Sequence, residues 1–104
     1  VLHGAAHAVR RWAVAGVDLI LGGHIHLPYV LPLGAVWPNL PRAMWAVQAG
    51  TATSTRVRAG APNSCNLLTL CADETGRRGV VERYDYDMGR DCFDVVARHA
   101  LSPP

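Results

Sequence analysis

The hydrophobic and polar positions follow a helical spacing at the start of the chain. Residues 5–15 (AAHAVRRWAVA) are mostly good helix formers, and Val9, Trp12 and Ala13 recur near the helical period. Arg10 and Arg11 fall on the other side of that helix. Gly16 comes directly after it, where a left-handed residue often ends a helix. The pattern predicts one helix over residues 5–15.

A short apolar run comes next and has no helical period. Residues 17–21 (VDLIL) are β-branched or aliphatic except for Asp18, a composition typical of a strand buried on both faces. Gly22 and Gly23 end the run. The opening of the chain is therefore predicted to be a helix, a buried strand and a glycine turn.

The rest of the chain favours strands separated by turns. The segment GHIHLPYV enters a loop or a second short strand, and residues 31–42 hold three prolines, typical of an irregular connection. Strands are predicted within MWAVQAG, CNLLTLC, VVERYDYD and CFDVVARHAL, with a short helix as the alternative for the last. The loop TATSTRVRAGAPNS lies between the first two of them. One helix before a series of strands indicates an α/β fold, and part of such a fold rather than a complete one.

Composition sets further bounds. The 104 residues suffice for one domain, and 50% hydrophobic with 17% charged residues is typical of a globular chain. A net charge of +2, with all ten basic residues arginine, gives no reason to expect nucleic-acid or membrane binding. Cys65 and Cys71 lie in or beside the apolar run NSCNLLTLC and have no CxxC spacing, so they are predicted to be buried, reduced thiols. Without a signal-like segment, a cytoplasmic protein is expected.

One cluster has a clear chemical meaning, the segment Gly22-Gly23-His24-Ile25-His26 after the predicted strand. In an extended backbone, residues two apart point to the same side, so His24 and His26 are expected to share a face. The carboxyl ends of strands are where open α/β sheets usually place their sites. Two imidazoles do not complete a metal site, which usually needs at least three protein ligands. Alone, the residues leave a metal site and a packing role equally open.

DLILGGHIHLPYV resembles the last metal-binding block of the calcineurin-like metallophosphoesterases, in which a hydrophobic strand with an aspartate runs into Gly-His-x-His. The later stretch VQAGTATSTRVRAGAPNSCNLLTL is similar to the segment after that block in the members related to cyclic-nucleotide phosphodiesterases. In those members a strand ends in Ala-Gly-Thr, an arginine-containing loop comes next, and Pro-Asn-Ser leads into another strand. Together the two stretches cover roughly residues 17–70 in the family's order and spacing.

This resemblance implies that residues 1–104 are the C-terminal part of a metallophosphoesterase β-sandwich flanked by helices. It implies two divalent ions (Mn, Fe, Zn or Ni), with His24 binding one and His26 the other, and hydrolysis of a phosphoester by metal-activated water. The family's upstream Asp-x-His, Gly-Asp and Gly-Asn-His blocks are not in the sequence. The chain is therefore expected to bind metal weakly or not at all and to be inactive alone. It would need a missing N-terminal half or self-associate.

The other candidates have weaker support. His3 and His7 lack the neighbours of the family's remaining histidine ligand, and His99 has no partner, so all three are expected to be structural or surface residues. Arg56 and Arg58 have the chemistry to approach a phosphate, but a solvated role is favoured. Val1 as first residue and Met44 as first methionine predict an internal start. Two other hypotheses stay open: a catalytically dead interaction module, and a metal site built between two copies.

Overall fold

The computed structural model describes residues 4–25, 27–54 and 62–101. Helix α1 (Ala5–Ala15) ends at Gly16, whose φ of 101° is left-handed and whose N–H donates to the carbonyls of Ala13 and Trp12. The predicted helix and its glycine stop are confirmed at the same residues. Val9 and Ala13 form the buried side of the helix.

A small mixed sheet comes after the helix. It consists of β1 (Leu19–Gly22), β2 (Tyr29–Pro32) and β3 (Trp45–Gln48) in the order β1-β3-β2. The central β3 is parallel to β1 and antiparallel to β2, with Gly22 and Tyr29 both level with Gln48. A 3-10 helix (Leu33–Ala35) begins the connection from β2 to β3. Because β1 and β3 are parallel, their amino ends share one edge of the sheet and their carboxyl ends the other.

The second sheet is an antiparallel meander. It consists of β4 (Ser64–Asp73), β5 (Gly76–Asp87) and β6 (Cys92–Leu101), with β5 in the centre. The β4–β5 pairing is regular along the whole of β4, and the β5–β6 pairing is irregular between Arg83 and Tyr84. Residues 92–101 are a strand, which confirms the first prediction for that segment over the helical alternative.

The mixed sheet lies in the middle layer because both of its faces contribute to hydrophobic clusters. One cluster joins the helix to the sheet, and the other joins the two sheets. The first contains Val9, Ala13, Leu33 and Met44, with Ile20, Leu31 and Ala46 packed against it. The second contains Val47, Val81 and Leu101, with Leu19, Val30, Trp45 and Leu68 packed against it.

This arrangement is a small α/β protein with one helix and two three-stranded sheets in the part that the structure describes. The predicted α/β class and the order of one helix before mostly strands are confirmed. The described helix α1 is too short to cross a membrane, and no other described helix is long and apolar enough to do so.

Two expectations about burial are wrong. The strand at residues 17–21 is not buried on both faces: Leu21 is 64% exposed, because β1 is an edge strand of a small sheet. Cys65 and Cys71 are free thiols but exposed, not buried. They lie on β4, an edge strand of the second sheet, where alternate side chains point away from the interior.

Candidate functional site

The Gly-Gly-His-Ile-His segment leaves the mixed sheet at the carboxyl end of β1. The strand ends at Gly22, and Gly23, His24 and Ile25 are all exposed. The backbone is tied to β3 at this point, where the N–H of Ala49 donates to the carbonyl of Gly22 over 2.8 Å. The segment therefore starts from a fixed position on the sheet edge.

A tight turn is centred on His24. The N–H of Ile25 donates to the carbonyl of Gly23 over 3.0 Å, which closes a three-residue turn. His24 has a φ of 79°, in the left-handed region that non-glycine residues rarely adopt. This is the less common hand of γ-turn, which is strained, and such strain concentrates at functional sites. The turn lifts the imidazole of His24 into solvent at the sheet edge.

Gln48 holds this turn from the neighbouring strand. Its side-chain amide donates to the carbonyl of Gly23 over 2.6 Å, and the residue is only 8% exposed. The register explains this reach, because Gln48 lies level with Gly22 across the β1–β3 pair. A Cβ at Gly22 would collide with the side chain of Gln48. A larger residue at 22 would therefore have to displace the Gln48 amide from its place beside Gly23.

A second close approach lies beside the first. A Cβ on Gly50 would collide with Ser64 Oγ and press on the ring of Pro28. Within the described part of the chain the buried Ser64 hydroxyl has no hydrogen-bond partner, although the Ser64 N–H donates to the carbonyl of Thr51 over 2.8 Å. An open cavity of about 320 Å³ lies here, bordered among others by Gly22, Gly50, Ser64 and Asn66. The AGT and PNS segments of the sequence therefore meet beside the end of β1.

The structure covers only part of the predicted site. It places His24, but His26 lies outside the described residues, as do His3, Arg56 and Arg58. The expectation of a shared face rested on an extended backbone, and at His24 a turn replaces that backbone. The assignment of His24 and His26 as metal ligands stays a prediction. His7 and His99 are exposed, as expected of surface residues.

The described segments contain no group of three or more His, Cys, Asp or Glu residues that could hold a metal ion. Asp18, the acidic residue nearest in sequence, pairs with Arg42 and Arg77. Outside this segment, three described side chains have shifted pKa values. Hydrogen bonds from Thr75 lower the pKa of Asp73, the hydrogen bond to Asp91 raises the pKa of Tyr86, and burial raises the pKa of Cys92.

Gln48 is the residue of this candidate site that sequence reasoning missed. In the sequence it is one polar residue at the end of a strand-like run, MWAVQAG, with no motif around it. Only the parallel pairing of residues 19–22 with 45–48 brings it to the glycines. A buried polar residue where a central strand meets a glycine-rich turn is the signal that would have identified it.

Comparisons with protein-family models, with curated proteins and with solved structures found no significant match.

Proposed function

We propose that residues 1–104 form the C-terminal part of a dinuclear metallophosphoesterase domain and act in phosphoester hydrolysis. In this proposal His24 and His26 each bind one of two divalent metal ions. One observation carries it: the Gly-Gly-His-Ile-His segment leaves the carboxyl end of a parallel strand, and a strained turn exposes the first histidine there.

The exposed imidazole of His24 fits the role of a ligand better than a packing role. It lies outside both hydrophobic clusters, at a backbone conformation that costs free energy to maintain. A site for two cations nevertheless needs more ligands than the described residues bring together. The remaining ligands would come from an N-terminal part with the family's other metal-binding blocks.

The free side of β1 supports this incompleteness. Within the described part of the chain β1 has a strand neighbour only on its β3 side. Its outer residues carry no charge or proline, the usual protection of an exposed edge, and Leu21 is 64% exposed. An added strand would pair with this edge and bring further groups next to His24.

When bound, the two ions would activate water and stabilise charge on the phosphoryl group. The residues of this chain have a positioning task. Gln48 fixes the carbonyl of Gly23 and so sets where His24 leaves the sheet, while Gly22 lets Gln48 reach that carbonyl. The small residues around the adjacent cavity leave room for a substrate at the carboxyl end of β1.

A metal titration tests the ligand assignment on the chain as it is. Zn²⁺ added to residues 1–104 should shift the imidazole NMR signals of His24 and His26 together, and weakly, because two ligands leave most of the coordination shell to water. His24→Ala should abolish the shared response. His99→Ala, an exposed histidine on β6, is the matched control and should leave it unchanged. An unaltered titration in the double variant of His24 and His26 would overturn the assignment.

An activity assay tests the function. The chain alone should not hydrolyse bis-p-nitrophenyl phosphate with Mn²⁺ or Zn²⁺. An N-terminal part carrying Asp-x-His and Gly-Asn-His blocks, if one is encoded upstream, should restore metal-dependent turnover on co-expression. His24→Ala should then lower turnover by roughly a hundredfold or more, since a lost metal contact removes several kcal/mol of stabilisation. Robust hydrolysis by residues 1–104 alone would contradict the proposal.

A second candidate is a catalytically dead interaction module that kept this sheet. The exposed apolar side chains favour it: Leu67, Val95 and Val96 on the edge strands of the second sheet are each at least 51% exposed. The two candidates differ in the metal titration, since only the first predicts a joint response of His24 and His26.

A further inference from the structure

A cleft of about 470 Å³ opens between the two sheets at the amino ends of β1 and β3. It lies on the opposite edge of the mixed sheet from His24. Leu19 and Trp45 line it from the mixed sheet, and Leu70 and Leu101 line it from the antiparallel sheet. Three of these side chains belong to the cluster between the sheets, so the cleft continues the core with apolar walls. Its volume lies in the range of about 300–1,000 Å³ that small-molecule sites occupy.

Charged side chains border this apolar space. The carboxylate of Asp18 bridges two guanidinium groups: Arg42 Nη2 is 3.0 Å from one oxygen, and Arg77 Nε is 3.2 Å from the other. Arg78 also lines the cleft, and Asp73 pairs with it at 2.5 Å. Two guanidinium groups against the one carboxylate of Asp18 leave one positive charge in excess.

Arg42 has hydrogen-bonding capacity that this bridge does not use. Its Nε is buried and has no hydrogen-bond partner among the residues that the structure describes. A buried donor without a partner is costly, and a ligand oxygen would satisfy it. The arginine fork is also suited to grip an oxyanion with two parallel hydrogen bonds.

We propose that this cleft binds a small amphipathic monoanion, with its apolar body between the sheets and its oxyanion head at Arg42 and Arg77. The apolar walls account for the body, and the single excess charge accounts for one negative charge on the head. A carboxylate and a phosphodiester both offer such a head. The cleft is independent of the proposed hydrolase function, which concerns the other end of the sheet.

Ligand titrations of the full chain monitored by amide and indole NMR test the proposal. Octanoate and dibutyl phosphate are the two anionic probes. As controls, 1-octanol has an apolar chain without a charge, and inorganic phosphate has a charge without an apolar chain. The two amphipathic anions should shift the Trp45 indole signal and the amides of Leu19 and Gly79. The amides of Gly23 and His24, at the far sheet edge, serve as the internal control. Whichever of the two anions has the lower dissociation constant identifies the preferred head group, a carboxylate or a phosphodiester.

Charge variants separate recognition of the head from filling of an apolar space. Arg77→Gln and Arg42→Gln should each raise the dissociation constant roughly tenfold, the loss of one charge-assisted hydrogen bond. Arg77→Lys should recover part of the loss, because it keeps the charge without the fork. Arg90→Gln is the matched control, since Arg90 lies in the exposed β5–β6 turn and pairs with Asp94 there. It should leave binding unchanged.

Three results would overturn the proposal, and all three are obtained with the unmodified chain. Equal shifts with 1-octanol would show an apolar gap that recognises no charge. Inorganic phosphate binding as tightly as octanoate would show that the apolar walls contribute nothing. No shift at the cleft signals below the micelle range of octanoate would show that the space is not a binding site.

Discussion

The two ends of the small mixed sheet are stabilised by different kinds of interaction. At the carboxyl end, neutral groups fix the backbone: the amide of Gln48 holds the carbonyl of Gly23 at 2.6 Å. At the amino end, charged side chains from three parts of the chain meet, and Asp18 joins Arg42 and Arg77. The short strand β1 connects these two ends.

The two ends also differ in how far their polar side chains are paired within the described part of the chain. The carboxyl end exposes one described imidazole beside small residues and open space, so it offers room and few ligands. The amino end pairs most of its charge within the chain. The motif that sequence analysis singled out therefore lies at the end where the described residues offer few ligands. The other end is defined by contacts between residues as far apart as Asp18 and Arg77.

The largest effect is expected from the glycine at the carboxyl end. Gly22→Ala should lower the free energy of unfolding by about 2 kcal/mol, the usual range for overpacking being about 1–3 kcal/mol. The added Cβ displaces the side chain of Gln48 and breaks its hydrogen bond to Gly23. Urea unfolding monitored by circular dichroism measures the change.

Two further variants make that experiment specific. Gly23→Ala is the matched control, because a Cβ there meets nothing within 4 Å. In a Gln48→Ala background, Gly22→Ala should cost much less, since the group it displaces is gone. Equal costs in both backgrounds would contradict the view that the cost comes from displacing Gln48.

At the amino end, Asp18→Asn should cost about 1 kcal/mol, near the upper limit for partly exposed ion pairs. The carboxylate is 39% exposed, so water screens the two pairs, but their loss leaves two guanidinium groups facing each other. Asp94→Asn, which breaks the single exposed pair with Arg90, should cost less and is the control. The difference should shrink at high salt, and a difference independent of salt would speak against the charge explanation.

Strain at His24 predicts a variant that gains stability while losing the imidazole. His24→Gly should raise the free energy of unfolding by roughly 0.5 kcal/mol, because the relief of the left-handed backbone exceeds the entropy that glycine adds to the unfolded chain. His24→Ala keeps the strain and should show no such gain. Thermal unfolding of the two variants side by side measures the difference, and an alanine variant as stable as the glycine variant would show that the turn is not strained.

The sequence predicted the elements better than it predicted their burial. Helix α1 and its stop at Gly16 were expected from local propensity, and those local rules hold in the structure. The strand at residues 17–21 was expected to be buried because its composition is apolar. That expectation failed because composition does not reveal whether a strand has a neighbour on each side. Cys65 and Cys71 were expected to be buried for the same reason and are exposed.

The candidate site was predictable only in part. The position of His24 after a strand and two glycines is a local feature, and the structure has it. The turn at His24 was not predictable, because it depends on a hydrogen bond from Gln48, which lies 25 residues beyond Gly23 in the chain. The Asp18 bridge was also beyond reach, because its arginines lie in a proline-containing connection and at the start of β5.

The smallest expected effect is on the loss of stability at acidic pH, through Asp73 at the end of the second sheet that borders the cleft. The hydroxyl of Thr75 donates to Asp73 over 2.6 Å and its backbone N–H over 2.8 Å, which lowers the pKa of Asp73 below its ordinary value of 3.8. A lowered pKa in the folded state means that the stabilisation is present above the ordinary value and is lost as the pH falls through the folded-state pKa. Thr75→Val removes the hydroxyl bond, so its stability should fall less than that of the wild type between neutral pH and pH about 3. Thr69→Val, at an exposed position on the same strand as Asp73, is the control. A ¹³C NMR titration of the Asp73 carboxyl should show the pKa rising in the Thr75 variant, and an unchanged value would show that this bond does not stabilise the carboxylate.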